Sequence, residues 1–209
     1  MQIIHQYFPN LSAVQISQFE ALEGLYKEWN AKINVISRKD IDNLYEHHIL
    51  HALSLGILLQ FEPDADILDL GTGGGLPGIP LAILFPHVKF TLIDGTGKKI
   101  RVVREIIQAI DLKNAKAQQV RAEEWKGKKF DFVVSRAAAN LDKLVPWSKK
   151  LLKKRHQHAY PNGLFALKGG DIKAEIKALT TSEYTETFPL EALFDLAYYK
   201  EKYIVYVQA

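Results

Sequence analysis

Asp69-Leu-Gly-Thr-Gly-Gly-Gly-Leu-Pro-Gly-Ile-Pro80 decides how this chain is read. An apolar run, residues 67–70, enters it, and an amphipathic helix expected over residues 76–85 leaves it. Glycines let the backbone turn sharply and approach a ligand where a Cβ would collide, and the start of a helix supplies free N–H groups. A nucleotide-like ligand is therefore expected. A dinucleotide loop would read G-x-G-x-x-G, yet Leu76 stands at the third glycine position counted from Gly71. The pattern is instead Asp69-x-Gly71-x-Gly73-x-Gly75, with an acid two residues before the first glycine.

That pattern resembles the S-adenosylmethionine loop. Asp69 in such a loop can balance the cationic methionine end of the cofactor, whereas it would repel a pyrophosphate. Downstream, strands are expected at 67–70, 89–93, 117–120, 130–135 and 164–167, with helices at 76–85, 98–110 and 141–152 between them. Such alternation means βαβ units and a parallel sheet. Two late strands, 186–190 and 203–207, have no convincing helix between them and are expected to pair antiparallel at one edge. The layout resembles the class I S-adenosylmethionine-dependent methyltransferases, a Rossmann-like α/β fold. Asp94 ends the second strand 23 residues after Gly71. A carboxylate there can accept from two ribose hydroxyls, or cap the helix that starts near Gly97.

Upstream of the loop the period changes. Val14, Ile16, Phe19, Leu22, Leu25, Tyr26, Trp29 and Ile33 recur at helical spacing over residues 12–36, with Ser12 as N-cap. A second helix is expected over 41–59. Residues 1–60 thus read as a helical cap and 61–209 as the cofactor-binding domain. Tyr26 and Trp29 are expected as core contacts between the two.

At 209 residues, with 47% hydrophobic and 24% charged side chains, the chain can bury a core of its own. It has no cysteine, which excludes disulfides, zinc fingers, iron–sulfur clusters and thiol nucleophiles. Its start lacks a basic stretch followed by an apolar run, and no window reaches the roughly 18 apolar residues of a membrane span. A soluble, cytoplasmic, monomeric protein is expected. The net charge is +3, but residues 62–156 hold 18 Lys/Arg against 11 Asp/Glu, and the flanks are each slightly acidic. A field concentrated there favours an anionic partner. Lys98, Arg101 and the runs Lys126-Gly-Lys-Lys129 and 149–156 suit phosphate contacts. Lys168, at the end of a strand beside Gly169-Gly170, is a further candidate RNA contact.

The loop is similar to the signature of the glucose-inhibited division protein B family, the bacterial small-subunit ribosomal RNA guanine-N7 methyltransferases. Agreement continues in order through Trp29-Asn-Ala-Lys-Ile-Asn34, His48-Ile-Leu50, Leu92-Ile-Asp-Gly-Thr-Gly-Lys98 with Arg101, and Ser135-Arg-Ala137 followed by Leu167-Lys-Gly169. It spans residues 25 to 170, helical cap included. The resemblance implies S-adenosylmethionine as cofactor, contacted at Gly71, Leu76, Ala122, Glu123 and Arg136, and 16S ribosomal RNA in the small subunit as partner. Three departures stand out: Gly74 where the family usually has Pro, His47-His48 in place of an Arg-His pair, and His51 in place of Asp. Arg136 is the residue expected to orient the guanine or an RNA phosphate, because a guanidinium donates well to O6 and to phosphate oxygens. No general base is nominated, since guanine N7 already carries a free lone pair. His47-His48-x-x-His51 has no accompanying acid motif, so a polar cap surface is expected there rather than a metal site. A methyltransferase acting on a small molecule or protein, and a non-catalytic nucleotide-binding module, are the alternatives; Asp69, Gly71, Gly73 and Asp94 together argue against the second.

Overall fold

The computed structural model describes residues 1–136, 138–179 and 183–208; Ala137, quoted above in Ser135-Arg-Ala137, lies outside them. A short helix, α1 (Gln2–Tyr7), precedes α2 (Ala13–Lys32). Ser12 and Gln15 form a reciprocal capping box at the start of α2, satisfying two otherwise orphaned N–H groups. The Gln15 amide also donates to the carbonyls of Ile83 and Leu84. Phe19, Leu22 and Tyr26 are fully buried, but Val14 of the expected apolar face is 67% exposed. The helix stops at Lys32, short of the expected end at residue 36. Beyond it the buried Asn30 side chain accepts from the N–H groups of Val35 and Ile36 and donates to the Ile36 carbonyl, holding the chain in a turn.

Residues 41–59, expected as one helix, are three consecutive segments: a 3₁₀ turn at Ile41–Asn43, a π-helix at Leu44–Leu50, and α3 (His51–Leu58). In a π-helix the wider ring displaces side chains from the α-helical phase. His48, within the π-helix, and His51, at the start of α3, are both buried.

The remainder alternates as expected, apart from one unexpected short helix, α7: β1 (Asp66–Leu70), α4 (Gly78–Leu84), β2 (Lys89–Asp94), α5 (Gly97–Ala109), β3 (Ala115–Gln119), β4 (Phe132–Arg136), α6 (Leu141–Leu151), β5 (Gly163–Gly169), α7 (Ile172–Lys177), β6 (Thr185–Pro189) and β7 (Lys202–Gln208). The sheet order is β3-β2-β1-β4-β5-β7-β6. The first five strands are parallel, and β7 lies antiparallel between β5 and β6. Strand periodicity of two sends Ile67 to one face of β1 and Leu68 to the other. One face packs against α2–α5 through Ile67, Phe90, Leu92, Phe132 and Phe165, and the other against α6 through Leu68, Val133, Leu164 and Val205. Ile4, Phe19, Leu22, Leu50 and Leu53 from the first 60 residues belong to the same buried cluster as the sheet's first face.

Candidate functional site

The carboxyl ends of β1, β2, β4 and β5 open into a cavity of about 720 Å³, within the roughly 300–1,000 Å³ usual for small-molecule sites. Its floor is the glycine loop. Gly73 adopts φ +56°, and a Cβ built there would meet nothing within 4 Å, so the backbone presents an open face to a ligand. Gly71 and Leu76 also line the cavity; Gly75 does not.

Asp69 lies beneath the loop rather than on the cavity wall. Its side chain points to the face of β1 that α4 covers. There Oδ2 accepts from the N–H of Gly78, 2.8 Å away, and from the Thr72 hydroxyl, 2.5 Å away, while Oδ1 is buried with no partner among the described residues. Burial pushes its pKa up to about 7, against the opposing pull of the Thr72 and Gly78 bonds and of Arg136. The expected direct contact of Asp69 with the methionine end is corrected accordingly: the acid organises the loop from behind. Gly78 must be glycine here, because a Cβ would stand 2.6 Å from Asp69 Oδ2 and 2.7 Å from Leu92 Cγ.

Asp94 sits at the cavity edge and is partly exposed. Its Oδ2 accepts from Gly73 N–H at 3.1 Å and its Oδ1 from Thr96 N–H at 2.8 Å. Thr96 rather than Asp94 is the N-cap of α5, with no capping bond from its side chain, so the expected capping by Asp94 is corrected. The carboxylate holds the turn before the helix, and each oxygen keeps a lone pair for a further donor. Ala122 and Glu123, in a 3₁₀ turn after β3, line the same side. An open backbone at Gly73, a carboxylate with spare acceptors beside it and the Ala122–Glu123 turn fit a nucleoside with free ribose hydroxyls.

Across the cavity, Arg136 ends β4. Nη2 donates to His48 Nδ1 at 3.1 Å, and Nη1 reaches the His47 carbonyl at 3.5 Å. Asp40 joins His47 Nδ1 at 2.6 Å and His48 Nε2 at 2.8 Å. Burial, aided by Arg136, lowers the His48 pKa to about 4. The ring is neutral, with Nε2–H donated to Asp40 and the Nδ1 lone pair facing Arg136. The His48–Asp40 contact is thus a hydrogen bond to a neutral imidazole rather than an ion pair. The guanidinium, although its pKa is lowered by burial, remains a cation held by neutral groups. Tyr198 stacks on the His47 ring at 3.7 Å and donates to its carbonyl. The Tyr26 hydroxyl, fully buried, donates to the Gly74 carbonyl at 2.9 Å, the core contact between α2 and the loop expected of it. Trp29 is only partly buried, with the Arg101 guanidinium 5.9 Å from its ring.

Two expectations, those for Lys168 and for the histidines, are corrected by these positions. Lys168 lines the cavity but is 8% exposed, donates to the Ala139 carbonyl at 2.7 Å and pairs with Glu175 at 2.8 Å. A lysine so committed is not a free RNA contact; α7, which the sequence pattern did not announce, supplies Glu175. Lys98 and Arg101 are exposed on α5 and lie outside the cavity lining, where Lys99 stands instead. The histidines are not a polar surface: His48 and His51 are buried and line the cavity. Among the described residues no cluster of His, Asp and Glu is arranged to hold a metal, and no helix is long and apolar enough to cross a membrane. Tyr198 and Lys202 complete the wall at the β7 side; no local sequence signal marks them.

Residues 15–197 match the family described as rRNA small subunit methyltransferase G. Proteins named ribosomal RNA small subunit methyltransferase G are similar over nearly the whole chain. That of Flavobacterium johnsoniae is 53% identical over 94% of this chain and 90% of its own. Those of Phocaeicola vulgatus, at 52% over 99% and 98%, and Bacteroides thetaiotaomicron, at 51% over the full length of both, follow closely. Among solved structures, a SAM-dependent methyltransferase from Aquifex aeolicus superposes with a TM-score of 0.59 at 13% identity, covering 82% of this chain and 98% of that one. A ribosomal protein L11 methylase from Lactobacillus delbrueckii subsp. bulgaricus superposes at 0.56 and 15% identity, covering 75% and 76%. These two likenesses concern the fold.

Proposed function

The chain belongs to the rRNA small subunit methyltransferase G family, and from that membership we propose that it methylates N7 of one guanine in 16S ribosomal RNA, in the cytoplasm, with the small subunit or its RNA as partner. It is an S-adenosylmethionine-dependent methyltransferase of the class I fold. The cofactor, when bound, supplies an electrophilic methyl group on a sulfonium.

The single observation that carries the residue assignments is the two-sided cavity, with Asp94 and the Gly73 backbone at one end and Arg136 at the other. In this reading Asp94 accepts from the ribose hydroxyls and Ala122 and Glu123 flank the adenine. Gly71, Gly73 and Leu76 supply the close backbone approach, with Asp69 and Gly75 shaping the loop from behind. Arg136 borders both ligands. It fixes the acceptor by donating hydrogen bonds, while His48 and the His47 carbonyl fix the guanidinium in turn. In-line displacement asks the protein chiefly for alignment, worth roughly 7–11 kcal/mol when reacting atoms are held at near-attack distance. Guanine N7 enters as a free lone pair, so no side chain need remove a proton. Residues 61–209 hold the cofactor, and residues 1–60 roof the acceptor side. Lys98, Lys99 and Arg101 form a basic rim for RNA phosphate, with an affinity that falls as salt rises.

Mass mapping of methylated nucleotides in 16S RNA from a deletion strain, with and without the gene restored, tests this. One guanine should lose and regain a methyl group at N7. An unchanged map, or a methylated small metabolite in its place, refutes the RNA assignment.

A further inference from the structure

His51 is 6% exposed, it lines the cavity, and neither of its ring nitrogens has a hydrogen-bond partner among the described residues. An unpaired polar pair in a buried side chain costs roughly 1–3 kcal/mol in the ligand-free protein. A group bound in the cavity can satisfy it. The ring is fixed in place: Tyr198 and Tyr199 meet it edge-on at 6.1 and 6.0 Å between centroids.

The strand order says which ligand that is. Asp94 ends β2 and the Ala122–Glu123 turn follows β3, so the nucleoside part of the cofactor occupies the β2–β3 end. His51 faces the opposite end, in company with Arg136 from β4, Tyr198, and Lys202 from β7. That end is left to the methyl acceptor. Resting on the proposed function, we propose that His51 reads the target base, its unprotonated ring nitrogen accepting a hydrogen bond from the N1–H and N2–H edge of guanine.

The chemistry of the two edges agrees with this. When the Hoogsteen edge of guanine, with N7, faces the cofactor side, the Watson–Crick edge faces away from it, toward the β7 wall. Adenine has no hydrogen on N1 and cannot donate at this point. As N7 takes the methyl group the purine becomes cationic and its N1–H a stronger donor. The bond to His51 therefore tightens as the reaction proceeds, and such a bond accelerates the step rather than merely aiding binding. Burial, with Arg136, Lys202, His48 and His47 around the ring, keeps His51 neutral and its lone pair free.

His51→Phe keeps the ring and removes both nitrogens; His51→Asp restores an acceptor. Single-turnover methyl transfer to small ribosomal subunits lacking the modification, at saturating S-adenosylmethionine, gives the rate. Calorimetry with S-adenosylmethionine gives the cofactor affinity, and circular dichroism reports folding. His51→Phe should lower the rate about 10–100-fold with cofactor affinity within about twofold of wild type, and His51→Asp should recover part of the loss. A folded His51→Phe protein with an unchanged rate overturns the proposal. So does a loss of cofactor affinity that accounts for the loss of rate, which assigns His51 to the cofactor instead. If His51→Phe does not fold, His51→Asp decides alone: a rate equal to that of a folded His51→Ala protein refutes the acceptor role. Wild-type protein that methylates no small-subunit guanine refutes the proposed function itself, a result distinguishable from any variant effect.

Discussion

Replacing Asp69 with Asn should remove the pH dependence that one buried group gives to stability. The folded-state pKa of Asp69, raised to about 7 from 3.8 chiefly by burial, means that the native protein holds a proton which the unfolded chain releases. Its stabilising contribution is fully present below the unfolded value and is lost as pH rises through 7. Between about pH 5.5 and pH 7 the slope is about 1.4 kcal/mol per pH unit, and above 7 it flattens, so the wild type should lose about 2 kcal/mol from this group between pH 5.5 and 8.5. Asparagine does not titrate. Its NH2 group takes the place of Oδ1, which has no partner, a cost of about 1–3 kcal/mol that is the same at both pH values. Denaturant unfolding of both proteins at about pH 5.5 and 8.5 isolates the pH-dependent part as a difference of differences, whatever the other carboxylates do. Expected is a wild-type advantage that shrinks by about 2 kcal/mol at the higher pH, or roughly 4–8 °C in relative Tm for a chain of this size. An advantage constant to within about 0.5 kcal/mol across that window would refute the buried, proton-holding role assigned to Asp69.

Asp94→Ala removes the carboxylate proposed for the ribose and should weaken S-adenosylmethionine binding about 10–150-fold by calorimetry; unchanged affinity in a folded variant would leave Asp94 only its bonds to Gly73 and Thr96. Arg136→Ala strips His48 Nδ1 of its donor, leaves the His47 carbonyl that of Tyr198, and should abolish or severely slow methyl transfer at saturating cofactor; full activity would make Arg136 structural only. Gly78→Ala forces a Cβ to 2.6 Å from Asp69 Oδ2 and should cost about 1–3 kcal/mol in thermal unfolding, whereas Gly24→Ala, on α2 with nothing within 4 Å, should stabilise by up to about 1 kcal/mol. Equal effects at the two glycines would contradict the packing described around the loop.

What could be read beforehand depended on how local the signal was. The strand–loop–helix at Asp69, the Ser12 cap and each single strand of the edge hairpin write their pattern within a dozen residues, and each is found close to the expected place. Asp94 was placed by a single spacing. The Asp40–His48–Arg136 chain joins residues 88 apart, and Tyr198 reaches His47 across 151; no periodicity encodes such a meeting. The surface reading of the histidines rests only on the missing acid motif, which says nothing of burial, and Tyr198 and Tyr199, which pack on the buried His51, come from the far end of the chain. Lys168 was misread for want of α7, whose six residues give no sustained period and yet deliver the partner Glu175.

The hydroxyl of Tyr26 on the Gly74 carbonyl ties the roof of the pocket to its floor inside one continuous core. Neither part can be exchanged alone. A chimera that joined this N-terminal segment to another Rossmann-like scaffold would have to import the loop, α4 and the Gln15 contacts with them, and a cut in the 33–40 connection would leave two fragments, each with bare hydrophobic surface. Substitutions at Gly74, Tyr26 and Val35, which would fill or vacate the same few cubic ångströms, are therefore accepted or rejected together. The N-terminal segment and the glycine loop form one packing unit.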